Sequence, residues 1–390
     1  MPFFLIVPIV GLIYVFWHIW CVLPLPAVWR CIVTAAGVLC FVMMFPVMAR
    51  VNDRLPLWCA TLMYEISTSF LFVALYLFIA FLILDILRLT GVVPKSLLYS
   101  NGITCIVLFL LTAGVFACGN TRYNNKERRE ITLHTTKKIN KPRRIVMMSD
   151  LHLGYNNRRA EFARWVDIVN AEQPDLILIA GDIIDMSMRP LVDEDVAAEF
   201  RRLSAPVYAC FGNHEYYAGV DDAEHFYRSA GINLLRDDVA ELDGLCLIGR
   251  DDATNRRRKP LKELTAQADS DSYTILLDHR PLNLRQAELA GIDFQLSGHT
   301  HHGQVFPISL ITEAIYEVAY GSHQRGETHY YVTSGMGIWG GKYRIGTCSE
   351  YVVATLVSGE DNRQRDCKAK RREDRSQLRS NRNRIAGRSD

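Results

Sequence analysis

Apolar residues run almost unbroken through the first 119 positions of this 390-residue chain, then give way to short apolar runs separated by polar segments. Four stretches of the first part, residues 3–20, 27–49, 66–87 and 102–119, approach or exceed the ~20 apolar residues that cross a bilayer. Pro24-Leu25-Pro26 and Leu55-Pro56 mark turns between them. Trp17, Trp20, Trp29 and Trp58 fall near span ends, where amphipathic rings favour the membrane interface. The first stretch lacks the basic leader and small-residue cleavage site of a secretory signal, and more spans follow, so it reads as a retained helix.

From Arg144 onward the pattern changes. Strands are predicted at 145–148, 176–180, 207–211, 245–248, 274–277, 294–296, 330–333 and 351–356, and helices at 158–172, 193–203, 221–230 and 282–290. Phe162, Trp165, Val166 and Val169 share one face of the first of these helices. Early alternation of strand and helix, followed by a strand-rich part, predicts an α/β fold with helices flanking sheets. The expected organisation is a four-helix transmembrane region (1–120), a basic juxtamembrane linker (121–143), a catalytic-sized domain (144–358) and a basic tail (359–390). The tail has too few apolar residues to offset chain entropy and is expected to be disordered.

Charge adds orientation. The net charge of +2 says little by itself, but basic residues are unevenly placed. Arg122, Lys126, Arg128, Arg129, Lys137, Lys138, Lys141, Arg143 and Arg144 follow the fourth span, and Arg50 and Arg54 lie between the second and third. The opposite loops carry only Arg30, Arg88 and Lys95. The positive-inside rule then puts both termini and the soluble domain in the cytoplasm. Ten scattered cysteines with no CxxC pair exclude a zinc ribbon and argue for a reducing compartment. The basic linker and tail suit either contact with anionic headgroups or simple solubilisation, and both readings stay open. Asp366, Glu373 and Asp374 interrupt the tail's basic run, and it lacks aromatics, which argues against specific nucleic-acid recognition. Glu65 and Asp85 read as interfacial residues, with Asp85 one helical turn from Arg88, rather than as an intramembrane site.

Candidate chemistry lies in the second half. Asp150-Leu151-His152, Gly181-Asp182-Ile183-Ile184-Asp185, Gly212-Asn213-His214-Glu215, His279 and Gly298-His299-Thr300-His301 each follow a predicted strand. Ligands of α/β sheets bind outside the carboxyl ends of strands, so the five motifs can converge. Glycine before a ligand allows a tight turn or close approach of the main chain. Alternation along an extended segment is expected to present Asp150 with His152, and His299 with His301. Carboxylates that bridge cations, with imidazole and an asparagine carbonyl to complete each shell, suit a pair of divalent metals. Manganese, iron and zinc all fit such a donor set.

The pattern D-x-H, G-D-x-x-D, G-N-H-[DE], H, G-H-x-H resembles the calcineurin-like metallophosphoesterases, and the resemblance covers about Arg144 to Leu356. It is closest to the bacterial membrane-anchored branch, which has several spans before the catalytic domain. There the last motif usually continues Gly-Gly-Gln, whereas this chain has His302-Gly303-Gln304, so His302 replaces a glycine at the substrate rim. The resemblance implies a two-sheet β-sandwich flanked by helices and two divalent ions. Asp150, His152, Asp182 and His301 would hold one ion. Asp182, Asn213, His279 and His299 would hold the other, with Asp182 bridging. His214 would contact the scissile phosphate and protonate the leaving oxygen, and Asp185 would orient His214.

The expected function is hydrolysis of a phosphodiester or pyrophosphate by attack of a metal-bridging hydroxide on phosphorus, in a multi-pass protein of the cytoplasmic (inner) membrane. Related enzymes cleave the pyrophosphate of UDP-diacylglucosamine, so a lipid-linked phosphoester is the leading substrate expectation. Soluble phosphodiesters such as cyclic nucleotides, or a non-hydrolytic metal-binding membrane scaffold, are the alternatives. Outside the motifs, Glu215 is expected to support its loop. Asp251-Asp252 reads as a turn, Arg256–Lys259 suits substrate phosphates or a solvated loop equally, and the glycine-rich run 335–341 reads as a loop beside the site.

Overall fold

The structure is a computed structural model that describes residues 2–137 and 139–359, with side chains from residue 8 onward. The predicted basic tail, apart from Gly359, lies outside the described residues. The N-terminal third forms helices α1 (Pro2–Val22), α2 (Ala27–Met48), α3 (Leu57–Leu89) and α4 (Gly102–Asn124). Among the described residues three of these, α2, α3 and α4, are long and apolar enough to cross a membrane. This corrects the expectation of four spans. The fully described part of α1, Pro8–Val22, is shorter than the ~20 residues a crossing requires. It packs along α3, with Val15, Val22 and Phe81 in one buried cluster. Asp85 of α3 is held by more than Arg88: Tyr14 Oη donates to it at 2.7 Å, and His18 Nε2 lies 3.0 Å away.

Twelve strands follow among the described residues: β1 (Lys126–Thr135), β2 (Arg143–Met148), β3 (Leu176–Ala180), β4 (Val207–Cys210), β5 (Ile232–Leu234), β6 (Asp238–Leu242), β7 (Leu245–Gly249), β8 (Tyr273–Leu277), β9 (Phe294–Ser297), β10 (Gly321–Arg325), β11 (Thr328–Val332) and β12 (Ser349–Ser358). They form two six-stranded sheets, ordered β1-β12-β2-β3-β4-β5 and β10-β11-β9-β8-β7-β6. Each sheet has a parallel centre, β2-β3-β4-β5 in one and β7-β8-β9-β11 in the other.

The sheets face each other. Ile145, Met147 and Leu178 of one meet Leu247, Ile275 and Leu296 of the other in a shared core. On the outer face of the first sheet, Val146, Ile177 and Ile179 pack under helices α5 (Arg159–Ala171) and α6 (Val220–Ser229). Strands covered on both faces read as continuous apolar runs, which is why β2, β3 and β4 stood out in the sequence.

Residues 121–143, expected to be a linker, contain β1, which pairs with β12 over ten residues. Their basic side chains are engaged there: Arg128 binds Glu172 and Glu130, and Arg129 binds Glu127 and Glu350. The helices also clasp the domain. Tyr155 Oη donates to Asp53 at 2.6 Å, Tyr76 Oη to Phe306 O at 2.6 Å, and Asn120 Nδ2 to Lys342 O at 3.0 Å.

Candidate metal centre

Five strands deliver the site, three neighbours in one sheet and two in the other. Asp150, Asp182, Asn213, His279 and His299 stand one to three residues beyond the carboxyl ends of β2, β3, β4, β8 and β9. The two sheets thus place all five predicted motifs in one buried centre. The local mechanism differs from the expected alternation. Asp150, His152, Asp182, His299 and His301 all have positive φ, between 44° and 69°. Each is a tight left-handed turn rather than an extended step, and such turns cost on the order of 1–3 kcal/mol apiece, a strain typical of functional sites.

Glycine is required beside them. A Cβ on Gly181 (φ +80°) would lie 2.7 Å from Gly212 N and 2.8 Å from His279 Nδ1. A Cβ on Gly298 would collide with the Asp150 carboxylate.

The donor atoms gather in three groups, each compact enough to hold an ion: Asp150/His152/His301, Asp182/His279/His299 and His152/Asp185/His214, the first and third sharing His152. In the first, His152 Nε2 is 3.0 Å from His301 Nε2, and Asp150 Oδ1 is 3.5 Å from His301 Nε2. In the second, His279 Nδ1 lies 2.7 Å from Ala180 O, so its N–H donates there. That leaves the Nε2 lone pair facing Asp182 Oδ2 at 3.0 Å. A lone pair and a carboxylate repel at that distance unless a proton or a cation lies between them. Asn213 Oδ1 and His279 Nε2 are buried without a hydrogen-bond partner. Asp182 Oδ2 also lies 3.7 Å from His152 Nε2, which puts this carboxylate between the first two groups. Orphaned acceptors converging from carboxylate, amide and imidazole fit divalent metal ions.

Electrostatics agree. Burial would raise the Asp182 carboxyl, but the charges of His279 and His214 hold it well below the usual range. Burial would also raise Asp185, and hydrogen bonds from His152 and His214 hold it below that range. Burial lowers His152 and His279, yet without metal their carboxylate neighbours more than offset this and push both up to about 10. The third group differs in kind: Asp185 Oδ1 lies 3.3 Å from His214 Nδ1 and 3.4 Å from His152 Nδ1, so this carboxylate links two imidazoles.

Glu215 accepts from the backbone N–H groups of Asp182, Ile184 and Gly212 at 3.2, 3.0 and 2.7 Å, the loop support expected of it. His302 turns away from the centre. It stacks on Tyr320 at 4.6 Å between ring centroids, and its Nε2 lies 3.0 Å from Glu313. Asp252 binds Arg280 at 2.9 Å, and Asp251 binds Arg236 and Tyr216. In the basic run, Arg258 pairs with Asp278, and Lys259 Nζ donates to Asp237 O. The glycine-rich run packs on the first motif, with Met336 and Gly337 N–H donating to Ser149 O and Asp150 O.

Three contributors were not anticipated. Tyr64 of α3 is buried, and its Oη donates to Asp185 Oδ2 at 2.6 Å. Phe72, also of α3, walls a cavity of about 260 Å³ that holds Asp182, Asn213, His214, His299 and His301. Arg344 is fully buried and donates to His301 O at 2.8 Å, Ser334 O at 2.6 Å and Gly337 O at 2.9 Å. Nothing local marks any of them. Tyr64 and Phe72 lie in an apolar helix, and Arg344 follows a glycine-rich loop.

Comparison with known proteins adds ancestry. Residues 143–303 match the calcineurin-like phosphoesterase family. A Helicobacter pylori protein described as an uncharacterized metallophosphoesterase is 31% identical over 227 residues, covering 56% of this chain and 61% of that protein. A Danio rerio transmembrane protein with a metallophosphoesterase domain is 34% identical over 232 residues, covering 55% of this chain and 53% of that one. An Aquifex aeolicus metallophosphoesterase is 30% identical over 239 residues, covering 58% of this chain and 90% of that one. The match to the Helicobacter pylori protein thus spans about three fifths of that relative's length. With nearly the whole Aquifex aeolicus protein matched and every expected motif gathered into one centre, the chain belongs to the calcineurin-like phosphoesterase family of metal-dependent hydrolases.

Proposed function

We propose that this chain is a membrane-anchored phosphoesterase that uses two divalent ions to hydrolyse a phosphodiester or pyrophosphate bond of a lipid-linked substrate. In this reading Asp150, His152, Asp182 and His301 hold one ion. Asp182, Asn213, His279 and His299 hold the second. When bound, such a pair acidifies a water and stabilises both the attacking and the leaving oxygen of an in-line displacement. The chain's own residues supply the rest. His214 lines the cavity beside Asp182 and is free to give a proton to the leaving oxygen. Asp185, 3.3 Å from His214 Nδ1, fixes that ring so that Nε2 faces the substrate.

The observation that carries the lipid part is Phe72. One wall of the cavity belongs to a helix long and apolar enough to cross a membrane, so the reacting bond lies where a headgroup can reach it. The relatives named as transmembrane proteins agree with membrane anchoring. The distribution of basic residues supports a cytoplasmic orientation of the domain. UDP-diacylglucosamine is one compound of the proposed class.

The test uses full-length protein purified in detergent, stripped of metal and resupplied with Mn²⁺. Turnover of bis-p-nitrophenyl phosphate that requires metal and disappears in His214→Ala is expected. A screen of phospholipids and nucleotide-sugar lipids then reads the substrate class. Hydrolysis confined to soluble nucleotides would refute the lipid assignment, and absence of metal-dependent turnover on any phosphoester would favour a binding scaffold.

A further inference from the structure

The catalytic domain carries a second feature that the chemistry of the centre does not use. Helix α7 (Ile308–Ile315) follows the last histidine motif. Its polarity is inverted relative to a water-facing helix. Leu310, Ile311, Ala314 and Ile315 are exposed and form one stripe at i, i+1, i+4 and i+5, while Ser309 is buried and Thr312 lines the metal-centre cavity. Phe306, just before the helix, is exposed as well. Among the described residues after β1 begins, eight large apolar side chains are exposed: Val192, Tyr217, Leu282, Leu289, Phe306, Leu310, Ile311 and Ile315. Half of them fall within this one short segment. A soluble surface scatters such residues singly, and a contiguous apolar patch marks an interface.

The position of the segment names the partner. Tyr76 Oη donates to Phe306 O, and Phe72 and Phe116 share a buried cluster with Val305, against which Ile308 packs. The segment is therefore fastened to α3 and α4. A crossing of ~20 residues counted back from Arg88, the basic residue in the last turn of α3, reaches about residue 69. Phe72 and Tyr76 then lie within the apolar depth of the bilayer, and so does the segment they hold. Phe306 N–H donates to Ile345 O at 2.7 Å, and Ile345 and Gly346 line an apolar groove against α4, beside which Leu110 and Leu111 are also exposed. The charged group of the helix, Glu313, is paired with His302 at 3.0 Å, away from the apolar stripe.

We infer that helix α7 lies in the plane of the membrane surface, with Leu310, Ile311 and Ile315 among the lipid acyl chains and its opposite face forming a wall of the metal-centre cavity. The catalytic domain thus inserts its own element into the leaflet beside the helices that anchor it. This placement is independent of the proposed reaction, and it gives the cavity a bilayer-facing wall built from Ile308 and Thr312.

The test places full-length protein in nanodiscs made with a phosphatidylcholine that carries a diazirine in its acyl chain. After irradiation, labelled peptides are mapped by mass spectrometry. Labelling is expected on α2, α3 and α4 and also on residues 306–315. In the variant Leu310→Asn/Ile311→Asn/Ile315→Asn the label on this segment is expected to fall to that of the water-facing α5, with label on α3 and α4 retained as proof of reconstitution. None of the three residues lines the cavity, so metal-dependent turnover of bis-p-nitrophenyl phosphate is expected to persist in the variant. Label confined to the three long helices would overturn the inference, as would protein–protein cross-links showing a second copy on this face. Turnover is read separately, so a failure of the phosphoesterase reading is not confused with a failure of membrane insertion.

Discussion

Tyr64→Phe is the sharpest probe of how the membrane helices and the catalytic centre depend on each other. The substitution removes one oxygen and leaves the ring in place. That oxygen donates to Asp185 Oδ2 at 2.6 Å and accepts from Gly340 N–H at 3.3 Å, and both Tyr64 and Asp185 are almost wholly buried. A hydrogen bond to a charged group contributes about 1.5–3 kcal/mol, and an unpartnered buried N–H costs about 1–3 kcal/mol. The 3.3 Å contact is long, so the expected loss is roughly 2–4 kcal/mol, dominated by Asp185. For a domain of this size each kcal/mol lowers the melting temperature by about 2–4 °C, so a fall of roughly 5–15 °C is expected in detergent. Activity suffers too. Asp185 loses its anchor while still facing His152 and His214, so kcat is expected to drop more than KM rises. The assay pairs thermal unfolding with steady-state turnover of bis-p-nitrophenyl phosphate. If both match the unaltered protein, α3 is an anchor alone and Tyr64 does not couple it to the centre.

Further outcomes follow from the same geometry. His152 and His279 are pushed up to about 10 in the metal-free centre by their carboxylates, whereas a metal ligand must be a neutral imidazole. Metal uptake at pH 7 is therefore expected to release protons, about one from each ring, and affinity should rise with pH up to about 10; calorimetry in buffers of different ionisation enthalpy reads the number, and zero protons released would refute the protonated state. The same raised values imply that these two rings stabilise the metal-free fold below pH ~6.5 and that this contribution is lost as pH climbs toward 10. Arg344→Lys keeps the charge but cannot reach His301 O, Ser334 O and Gly337 O together. It is expected to lower turnover at least tenfold, about 1.4 kcal/mol, and a fully active variant would show that the loop needs no such clamp.

Much of the centre was legible because its pieces are local. A buried parallel strand writes itself as an apolar run, and the ligand follows it within one to three residues, as with Asp150 after β2 and Asp182 after β3. The turn geometry was not legible. Asp150 and His152 reach one centre through left-handed turns, a conformation that aspartate and histidine adopt more often than most residues but that their type alone does not call for. β1 was hidden because alternating Lys, Arg and Glu read as a solvated linker, while its pairing partner β12 lies more than two hundred residues later. Tyr64 and Arg344 were invisible for the same reason. Their roles depend on partners brought close only by the fold, Asp185 for Tyr64 and His301 O for Arg344.

If the five motifs form one paired-metal hydrolytic centre, Asp182 is shared between the ions and activity needs both. The most direct measurement titrates Mn²⁺ into metal-free, full-length protein while turnover of bis-p-nitrophenyl phosphate is followed, for the unaltered chain and for Asp182→Asn. Turnover is expected to saturate at about two ions per chain and to be lost in Asp182→Asn although that variant stays folded. Full turnover in Asp182→Asn, or saturation at a single ion, would contradict a paired-metal centre.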